Sequence, residues 1–469
     1  LVSAAAVTRN INKDNKIKES FYKRINLIDI VTEDNTNTKI EEETYQAYKK
    51  LKQFLETKNI FIEIDSAYRS IDRQKELYNE FCTKYGKEYA DSVVAPPGTS
   101  EHHTGLAIDL SIKNKGEYIE ENTNYDLYHK TYNEIHKYLK DFGFILRYPK
   151  GKEHITKYPY EPWHIRYVGE FVSKIIAENN YTLEEYLTDF SAVILVNKEK
   201  DMTSFDVVNE IQHLYGIKKV GHTGTLDPLA EGVLIVAIGK ATKVVELLTA
   251  SYKEYIADVE LGKLTDTLDI TGQIISEKEI PSLSNLDEVI QSFKKTYLQE
   301  VPIYSAVKVN GKKLYEYARN NLEVELPKKE VTIKEIELLS STEKTFKFKT
   351  LVSKGCYIRS LINDIGNALN TYATMTTLIR TKQGKVTLED TYKLSEIKKN
   401  LHKTYQIDEV LELPTIIIDE KTANKIRTSK KISNKYDIKD KVIFKDNKGQ
   451  ILGIYELKNN ILAVWKNFV

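Results

Sequence analysis

The chain has 469 residues, 41% of them hydrophobic, and this size predicts two or three domains with ordinary cores. No apolar run approaches the roughly eighteen residues that a membrane helix needs, and two cysteines, Cys82 and Cys356, are too few for a disulfide framework. The net charge of +1 hides an asymmetry, because residues 191–469 carry 42 basic and 37 acidic side chains, whereas residues 1–190 carry 27 and 31.

The first predicted elements are a helix, a strand and a second helix. Residues 41–59 place large apolar side chains at helical spacing, and the alternation over residues 60–64 indicates a strand. A second helix is predicted over residues 71–85. Together these elements predict an α+β domain at the start of the chain.

Potential metal ligands follow in two clusters. The segment Ser100–Asp109 places His102 and Asp109 seven positions apart, and Glu161 precedes His164 by three. Two imidazoles and a carboxylate form a three-ligand zinc site with an open fourth position. Any single histidine is more often an ordinary satisfied polar residue, so the prediction depends on the full set.

These clusters resemble the motifs of VanY-type D-alanyl-D-alanine carboxypeptidases, and the resemblance covers residues 45–187. It implies that His102, Asp109 and His164 bind Zn²⁺, with peptides ending in D-Ala-D-Ala as substrates. It further implies that Glu161 takes a proton from the attacking water and that Arg69 stabilises the developing oxyanion. We expect the adjacent His103 to lie on a strand and point to its opposite face.

The next predicted strand, near Ala192–Val196, follows the last helix of this region with almost no linker. Domain boundaries usually carry a flexible segment rich in proline, glycine or polar residues. A natural fusion is the simpler interpretation, and two neighbouring genes read as one frame is the alternative.

A helix follows this strand, and we predict that Phe205, Val208, Ile211 and Tyr215 form its buried stripe. Beyond it, Gly221–Gly232 reads GHTGTLDPLAEG, in which glycines and an Asp-Pro pair predict a tight, irregular turn. The apolar run Val233–Ile238 then predicts a buried strand, so Asp227 is expected on a loop over a rigid scaffold. A bare Asp-Pro pair would usually mean no more than a turn.

The turn and three later segments resemble the bacterial tRNA pseudouridine synthases of the TruB family. The later segments are YSAVKVNG from Tyr304, GCYIRSL from Gly355 and LIRT from Leu378. The resemblance implies that Asp227 acts on uridine 55 of the TΨC loop, as nucleophile or as base. It implies that His222 and Tyr255 contact the extruded base, that Arg380 pairs with Asp227, and that no cofactor is needed.

Two positions depart from the family pattern. The family usually has proline after Lys198 and glycine before Met202, where this chain has Glu199 and Asp201. Both departures add negative charge to a surface that RNA phosphate is expected to approach.

Short apolar runs separated by Lys, Asn and Gly predict a small β-domain over residues 413–469, in the position of the family's PUA-like RNA-binding domain. Residues 421–469 carry 12 basic and 4 acidic side chains, which suits contact with nucleic acid. A solvated lysine-rich face is the alternative interpretation.

We therefore predict a three-part α+β chain: a zinc-peptidase-like domain (1–190), a pseudouridine synthase domain with a mixed sheet (191–412) and a small β-domain (413–469). The expected function is tRNA pseudouridine synthesis by a cytoplasmic monomer without a membrane span. The alternatives are a protein that is primarily a zinc D,D-carboxypeptidase, and a non-catalytic tRNA-binding or tRNA-folding protein.

Overall fold

A computed structural model describes residues 7–32, 35–114, 117–119, 125–428 and 431–469. The chain divides into two compact units. The first unit extends to Phe190 and takes in Asn209–Val220, and the second takes in Ser191–Val208 and Gly221–Val469. Both mix helices and sheets, so the predicted α+β class is confirmed. Across the described residues, there is no helix with the length and apolar character that crossing a bilayer requires.

The first unit contains a two-stranded and a five-stranded sheet among its described residues. Its strands are β1 (Leu27–Val31), β2 (Asn37–Glu41), β3 (Ile62–Ser66), β4 (Ala107–Asn114), β5 (Glu117–Ile119), β6 (Phe144–Tyr148) and β7 (Glu161–Tyr167). The larger sheet has the order β3-β4-β7-β6, with β5 paired to the end of β4. Its neighbouring strands are antiparallel.

Helices cover this sheet because their apolar side chains recur at helical spacing. The helix Glu42–Glu56 buries Tyr48, Leu51 and Leu55 in the main core of the unit. The helix Ile71–Tyr85, predicted with these bounds, begins at Ser70, whose hydroxyl accepts the backbone N–H of Arg73. The other α-helices described between residues 57 and 190 are Lys87–Val93, Tyr125–Tyr138, Glu153–Thr156, Glu170–Glu178 and Leu183–Asp189.

The second unit is built on a sheet to which nine of its described strands belong, in the order β14-β17-β18-β11-β19-β10-β8 with β20 on β19 and β9 on β10. The strands between residues 191 and 412 are β8 (Ser191–Lys198), β9 (Val220–His222), β10 (Glu231–Gly239), β11 (Lys253–Leu261), β12 (Lys263–Thr265), β13 (Ile274–Glu277), β14 (Thr296–Glu300), β15 (Lys308–Val309), β16 (Lys312–Lys313), β17 (Lys328–Ser341), β18 (Thr345–Val352), β19 (Ala373–Gln383) and β20 (Val386–Thr387). The pair β10–β19 is parallel and β8–β10 antiparallel, so the sheet is mixed, as predicted.

Strand β10 approaches β19 closely at Gly232, which lies opposite Arg380. Gly232 has a φ of 102°, and a Cβ atom there would lie 2.3 Å from the carbonyl oxygen of Arg380. The parallel pairing that ends the Asp227 loop therefore requires a residue without a side chain.

The helix Ser204–Tyr215 corrects one predicted stripe. Phe205 is 67% exposed, whereas Val208, Ile211 and Tyr215 are buried as predicted. The observed stripe starts one residue earlier, at the buried Ser204, and also includes Val207. The prediction that Phe205 is buried is wrong. An α-helix turns by about 100° per residue, so the side chain of Phe205 lies off the buried face that begins at Ser204.

Helices of the second unit pack on the large sheet. The helix Ile358–Ala368 inserts Ile358, Leu361, Ile362 and Ile365 into the same core cluster as β11 and β18. The other α-helices up to residue 412 are Val245–Ala250, Leu286–Gln291, Leu314–Arg319, Leu394–Lys398 and Ile407–Val410.

The C-terminal region forms a separate sheet in which five of the described strands pair, in the order β21-β23-β24-β25-β22. These are β21 (Thr415–Ile417), β22 (Lys431–Ser433), β23 (Lys441–Lys445), β24 (Ile451–Lys458) and β25 (Ile461–Asn467). The four apolar runs of the sequence coincide with β21, β23, β24 and β25, and the helix Glu420–Thr428 was not predicted. Ile443, Ile454 and Phe468 share a hydrophobic cluster with Val193 and Val233 of the large sheet.

Candidate active sites

Three side chains that can bind a metal lie close together in the first unit. They come from two neighbouring strands and one short helix. His102 lies in the 3-10 helix Glu101–Thr104, Asp109 on β4 and His164 on β7, where the register sets it directly opposite Asp109. All three are buried, and their potential ligand atoms lie within 4.8 Å of one another. The structure thus brings together the three residues that the sequence predicted as ligands.

The donor atoms of this cluster point inward. The Nδ1 atom of His102 lies 2.6 Å from the carbonyl oxygen of Ala67, which only accepts hydrogen bonds, so the proton is on Nδ1 and Nε2 keeps a lone pair. That Nε2 lies 3.0 Å from Asp109 Oδ2, and Nδ1 of His164 lies 3.0 Å from Asp109 Oδ1. Asp109 Oδ1 is buried without a hydrogen bond of acceptable geometry among the described residues. Two imidazoles and a carboxylate with such convergent atoms fit zinc.

Electrostatics at the cluster also favour a cation. Burial lowers the pKa of His102, which keeps this ring neutral and able to act as a ligand. Burial also opposes protonation of His164, but the charge and hydrogen bond of Asp109, together with Glu101 and Glu161, outweigh it and raise the pKa of His164 to about 10. The carboxylate thus attracts positive charge into the position between the two rings.

Glu161 lies beside the three ligands, with Oε2 3.4 Å from Nδ1 of His164. Glu161 and His164 are three apart on β7, and on a regular strand they would face opposite sides of the sheet. The pairing of β7 with β6 shifts register between Leu146 and Tyr148, and this irregularity lets the two side chains meet. Burial raises the pKa of Glu161 to about 7, which suits a group that exchanges protons near neutral pH.

The guanidinium of Arg69 is held by two side chains. It donates one hydrogen bond of 3.0 Å to Gln74 Oε1 and another of 3.0 Å to Ser66 Oγ. Gln74 is fixed in turn, because its amide nitrogen donates to the carbonyl oxygen of Ala95 at 2.7 Å. After burial, the charge of Arg69 also lowers the pKa of His102, whereas Asp109 opposes the shift, so Arg69 acts on the ligand cluster.

His103 is separate from the ligands, but not for the predicted reason. It lies in the same 3-10 helix as His102 and not on a strand. Its Nδ1 is 2.6 Å from the carbonyl oxygen of Arg69, and its Nε2 accepts the backbone N–H of Gly98 at 3.1 Å. Both ring nitrogens are therefore used by the main chain.

Sequence reasoning missed Glu101, which is buried behind His164. One of its carboxylate oxygens lies 2.8 Å from Nε of Arg147 and 2.8 Å from Nη1 of Arg166. An acidic residue directly before a ligand histidine was a visible signal. The two arginines that bury it come from β6 and β7 and could not be assigned from sequence.

In the second unit, the loop that carries Asp227 is fixed on both sides. Upstream of Asp227, the Ser204 hydroxyl accepts the N–H of Leu226 at 2.9 Å, and Gln383 Nε2 donates to the carbonyl oxygen of Thr223 at 3.0 Å. Downstream, the backbone N–H of Ala230 donates to the carbonyl oxygen of Asp227 at 3.0 Å. The loop is therefore a shaped support for one carboxylate.

Asp227 pairs with Arg359. Its Oδ2 lies 2.8 Å from Nη2 of Arg359, and the Asp227 side chain is 37% exposed whereas that of Arg359 is 6% exposed. Arg359 belongs to the first turn of the helix Ile358–Ala368 and also donates to the carbonyl oxygens of Thr267 and Tyr304. One face of the carboxylate is thus held by a buried cation while the rest remains accessible.

The predicted pairing of Arg380 with Asp227 is wrong. Arg380 is buried on β19, where its Nε donates to the carbonyl oxygen of Val233 at 2.6 Å and its Nη2 to that of Gly224 at 3.1 Å. These bonds use the guanidinium to hold the Asp227 loop from beneath. The segment GCYIRSL already contained Arg359, but the contact with Asp227 arises only when the helix packs against the loop.

His222 and Tyr255 lie on the strands around this loop. His222 ends β9, its Nδ1 accepts the N–H of Gly224 at 3.3 Å, and burial together with the charge of Arg380 lowers its pKa. Tyr255 is 7% exposed on β11, opposite Arg380 of β19, and belongs to the same core cluster as Leu226. Both side chains therefore lie next to the loop that carries Asp227.

Comparison with known proteins finds two consecutive family matches over residues 212–418. Residues 212–358 match the family model of the TruB family pseudouridylate synthase N-terminal domain, and residues 359–418 that of the tRNA pseudouridylate synthase B C-terminal domain. A tRNA pseudouridine synthase B of Caldanaerobacter subterraneus is 42% identical over 266 residues, which are 56% of this chain and 93% of the relative. That of Fusobacterium nucleatum is 41% identical over 283 residues, 58% of this chain and 96% of the relative. The chain belongs to the tRNA pseudouridine synthase B family.

A second family model matches the other part of this pseudouridine synthase. Residues 37–170 match that of VanY, D-alanyl-D-alanine carboxypeptidase. A solved D,D-pentapeptidase VanY from a VanB-type vancomycin resistance cassette, in complex with Zn(II), is 27% identical, with 39% of this chain and 99% of that chain covered and a TM-score of 0.32. The family-model match alone places a VanY carboxypeptidase-like domain in residues 37–170 of the same polypeptide.

The two departures from the synthase pattern have distinct structural settings. Asp201 has a φ of 65°, in the left-handed region that favours glycine, and its N–H donates to the carbonyl oxygen of Pro228 at 2.8 Å. Glu199 lies 3.8 Å from the ammonium group of Lys393. The chain therefore keeps the backbone that glycine would adopt at position 201 and sets a positive charge beside Glu199.

Proposed function

We propose that the protein isomerises uridine 55 in the TΨC loop of tRNA, with Asp227 acting on the nucleoside. The observation that carries this proposal is the contact between Asp227 and the buried Arg359 at 2.8 Å, on a loop tied to the large sheet. A buried guanidinium fixes the direction of the carboxylate through a charge-assisted contact. The accessible part of Asp227 is then free to meet a base that the enzyme has drawn out of the RNA stack, which costs a few kcal/mol.

The remaining residues of this site divide into two groups. His222 and Tyr255 contact the extruded nucleotide, whereas Arg380 supports the loop through Gly224 and Val233. Breaking the glycosidic bond and re-forming it at carbon changes no oxidation state and transfers no group to another molecule. The reaction therefore needs no cofactor, and the side chains carry it out with Asp227 as nucleophile or as base.

The test is pseudouridine formation in two matched tRNA transcripts, one with uridine at position 55 and one with cytidine there. We expect one pseudouridine per molecule in the first transcript, located by carbodiimide modification and primer extension, and none in the second. Equal modification of both transcripts would contradict the assigned position. No modification of either would contradict the activity and favour a tRNA-binding or tRNA-folding protein.

We propose as a second function a zinc-dependent D-alanyl-D-alanine carboxypeptidase in the first unit. The supporting observation is the buried set His102, Asp109 and His164, whose ligand atoms converge within 4.8 Å. When bound there, zinc supplies Lewis-acid chemistry that acidifies water and polarises a carbonyl group. Glu161 accepts the proton of the attacking water and passes it to the leaving amine, and its pKa of about 7 suits both steps.

Arg69 has the complementary role on the substrate. Its guanidinium is held by Ser66 and Gln74, and from this fixed position it stabilises the negative charge that develops on the substrate carbonyl oxygen. Because this support is set before substrate arrives, little reorganisation is needed during the reaction.

Release of D-alanine from a peptide ending in D-Ala-D-Ala tests this second function, with a peptide ending in L-Ala-L-Ala as control. We expect zinc-dependent release from the first peptide only, and complete loss of release after a strong chelator. Pseudouridine formation, measured in the same chelated sample with magnesium restored to keep tRNA folded, is expected to be unchanged. Release that survives chelation would contradict the metal site.

A further inference from the structure

The two sides of the Glu101 carboxylate face different groups. Its Oε1 is 2.8 Å from Nε of Arg147 and 2.8 Å from Nη1 of Arg166. Its Oε2 faces Nε2 of His164 at 3.7 Å. Both of these facing atoms are buried and, within the described part of the chain, have no hydrogen-bond partner.

A buried acceptor and a buried ring nitrogen that face each other without other partners are complementary. Leaving either atom unsatisfied is unfavourable, so a proton on His164 Nε2 and a small shift of the ring would form a favourable hydrogen bond. That proton would leave the lone pair of the ring on Nδ1, the atom that lies 3.0 Å from Asp109.

We propose that Glu101 is a positioning residue of the metal site, which accepts a hydrogen bond from His164 Nε2 and so directs Nδ1 of that ring to the metal. The inference rests on the metal site of the proposed carboxypeptidase. His102 is arranged in the opposite sense, because Ala67 takes the proton of its Nδ1 and leaves Nε2 as the ligand. The two histidines therefore bind through different nitrogens, each selected by an acceptor behind the ring.

The arginines explain why a carboxylate is tolerated at this depth. An isolated buried carboxylate is costly, whereas one paired with cations and hydrogen-bonded is retained. Arg147 also contacts Glu184, with Nη2 2.6 Å from Oε1 and Nη1 3.0 Å from Oε2. Arg147 and Arg166, with Glu184 paired to Arg147, thus fix the direction of Glu101. Of these four side chains, only Glu101 faces His164 within the described contacts.

The experiment compares the zinc affinity of the full chain with those of Glu101→Gln and Glu184→Gln, by competition with a chromophoric chelator. In Glu101→Gln the arginines retain the amide oxygen, so the NH₂ group faces His164. The ring then accepts at Nε2 and carries its proton on Nδ1, where it blocks the metal. We expect zinc to bind about 10–100-fold more weakly.

Glu184→Gln is the matched control, because it also removes a charge that pairs with Arg147 but has no contact with His164. We expect its zinc affinity to stay within about twofold of the parent protein, a margin below ~0.5 kcal/mol. Circular dichroism of the metal-free proteins establishes that each variant is folded. A folded Glu101→Gln that binds zinc as tightly as the parent, or an equal loss in both variants, would overturn the positioning role.

A measurement on the parent protein keeps the proposal testable if Glu101→Gln does not fold. With ¹¹³Cd bound and histidine rings labelled with ¹⁵N, we expect metal coupling to Nδ1 of His164 and Nε2 of His102. Coupling to Nε2 of His164 would overturn the inference while leaving the metal site intact. Failure of the parent to bind either metal would instead overturn the proposed carboxypeptidase, and the inference with it.

Discussion

The carboxylates that we propose as catalytic in the two units are supported in opposite ways. Glu161 and the proposed ligand Asp109 lie among other titratable side chains, with buried His102, His164 and Glu101 around them. Asp227 is instead partly exposed on a loop whose supports are mostly bonds to main-chain atoms, and it has one charged partner, Arg359, among its described ion pairs.

This difference separates two ways of preparing an acidic group. In the first unit the charges are mutually dependent, so a change at one side chain alters the protonation and direction of several others. In the second unit Ser204, Gln383 and Arg380 hold the loop through its main-chain atoms, and the proposed chemistry depends on a single carboxylate and its cation. Substitutions in the second unit should therefore separate into those that affect chemistry and those that affect stability.

The largest expected effect is that of Asp227→Asn. The amide keeps nearly the same shape but cannot act as an anionic nucleophile or base, so pseudouridine formation should fall by at least about a thousandfold. Single-turnover assays on tRNA transcripts measure the loss, and release of D-alanine should be unchanged. The exposed Asp287→Asn is a control, and turnover by Asp227→Asn within tenfold of it, roughly 1.4 kcal/mol, would argue against the assigned role.

Arg359→Lys and Arg380→Lys test which arginine serves Asp227. Lysine cannot reproduce the planar fork, so Arg359→Lys should lower the rate of the chemical step by about a hundredfold while the protein remains folded. Arg380→Lys should mainly lower the free energy of unfolding, by about 1–3 kcal/mol, because buried carbonyl groups of Gly224 and Val233 lose their donor.

Rates normalised to folded protein distinguish these two arginine variants. The reverse pattern, with a stable but inactive Arg380→Lys and a near-normal Arg359→Lys, would restore the pairing that the sequence suggested.

A smaller effect is expected from the basic surface of the C-terminal sheet. Lys425 and Lys435 are exposed and line one cavity beside the helix Glu420–Thr428. The double change to Gln should weaken tRNA binding and reduce the slope of log affinity against log salt by roughly one for each phosphate that is no longer neutralised. Exchanging the exposed Lys49 and Lys50 of the first unit provides the control. An unchanged slope would mean that this surface contacts no RNA.

The smallest expected effect concerns Asp201. Because its φ is 65°, alanine should be less favourable there than glycine by about 1 kcal/mol, with aspartate between them. Urea unfolding of Asp201→Gly and Asp201→Ala under identical conditions measures the difference. Equal midpoints would show that the left-handed backbone is not retained in solution.

The sequence predicted the elements whose side-chain periodicity is strong. The helix Ile71–Tyr85 and the four longest apolar runs of the C-terminal sheet fall where they were expected. The helix Glu420–Thr428 was missed, because its buried side chains are only Ala423 and Ile426 among polar residues. Phe205 was assigned to the buried face because apolar residues three or four positions apart fit more than one face of a helix. The buried residue at the start of the true face, Ser204, is not hydrophobic and gave no signal.

The sequence identified those residues of each site that lie within a compact motif. It did not identify the charged residues that contact them in the folded structure. His102, Asp109 and His164 converge because β4 and β7 pair in register, as the resemblance to the VanY-type motifs implied. Arg359 and Glu101 act through groups from distant segments, the Asp227 loop in one case and Arg147 with Arg166 in the other. Such contacts depend on tertiary packing, which local spacing does not encode.

The close approach at Gly232 has a consequence for directed evolution of the synthase. Any side chain at this position would begin with a Cβ atom 2.3 Å from the carbonyl oxygen of Arg380, a main-chain atom that cannot swing away. A saturation library at this codon should therefore return glycine alone after selection for tRNA modification. Gly221, where a Cβ atom would meet only a Val245 methyl group at 3.7 Å, should accept alanine in the same screen.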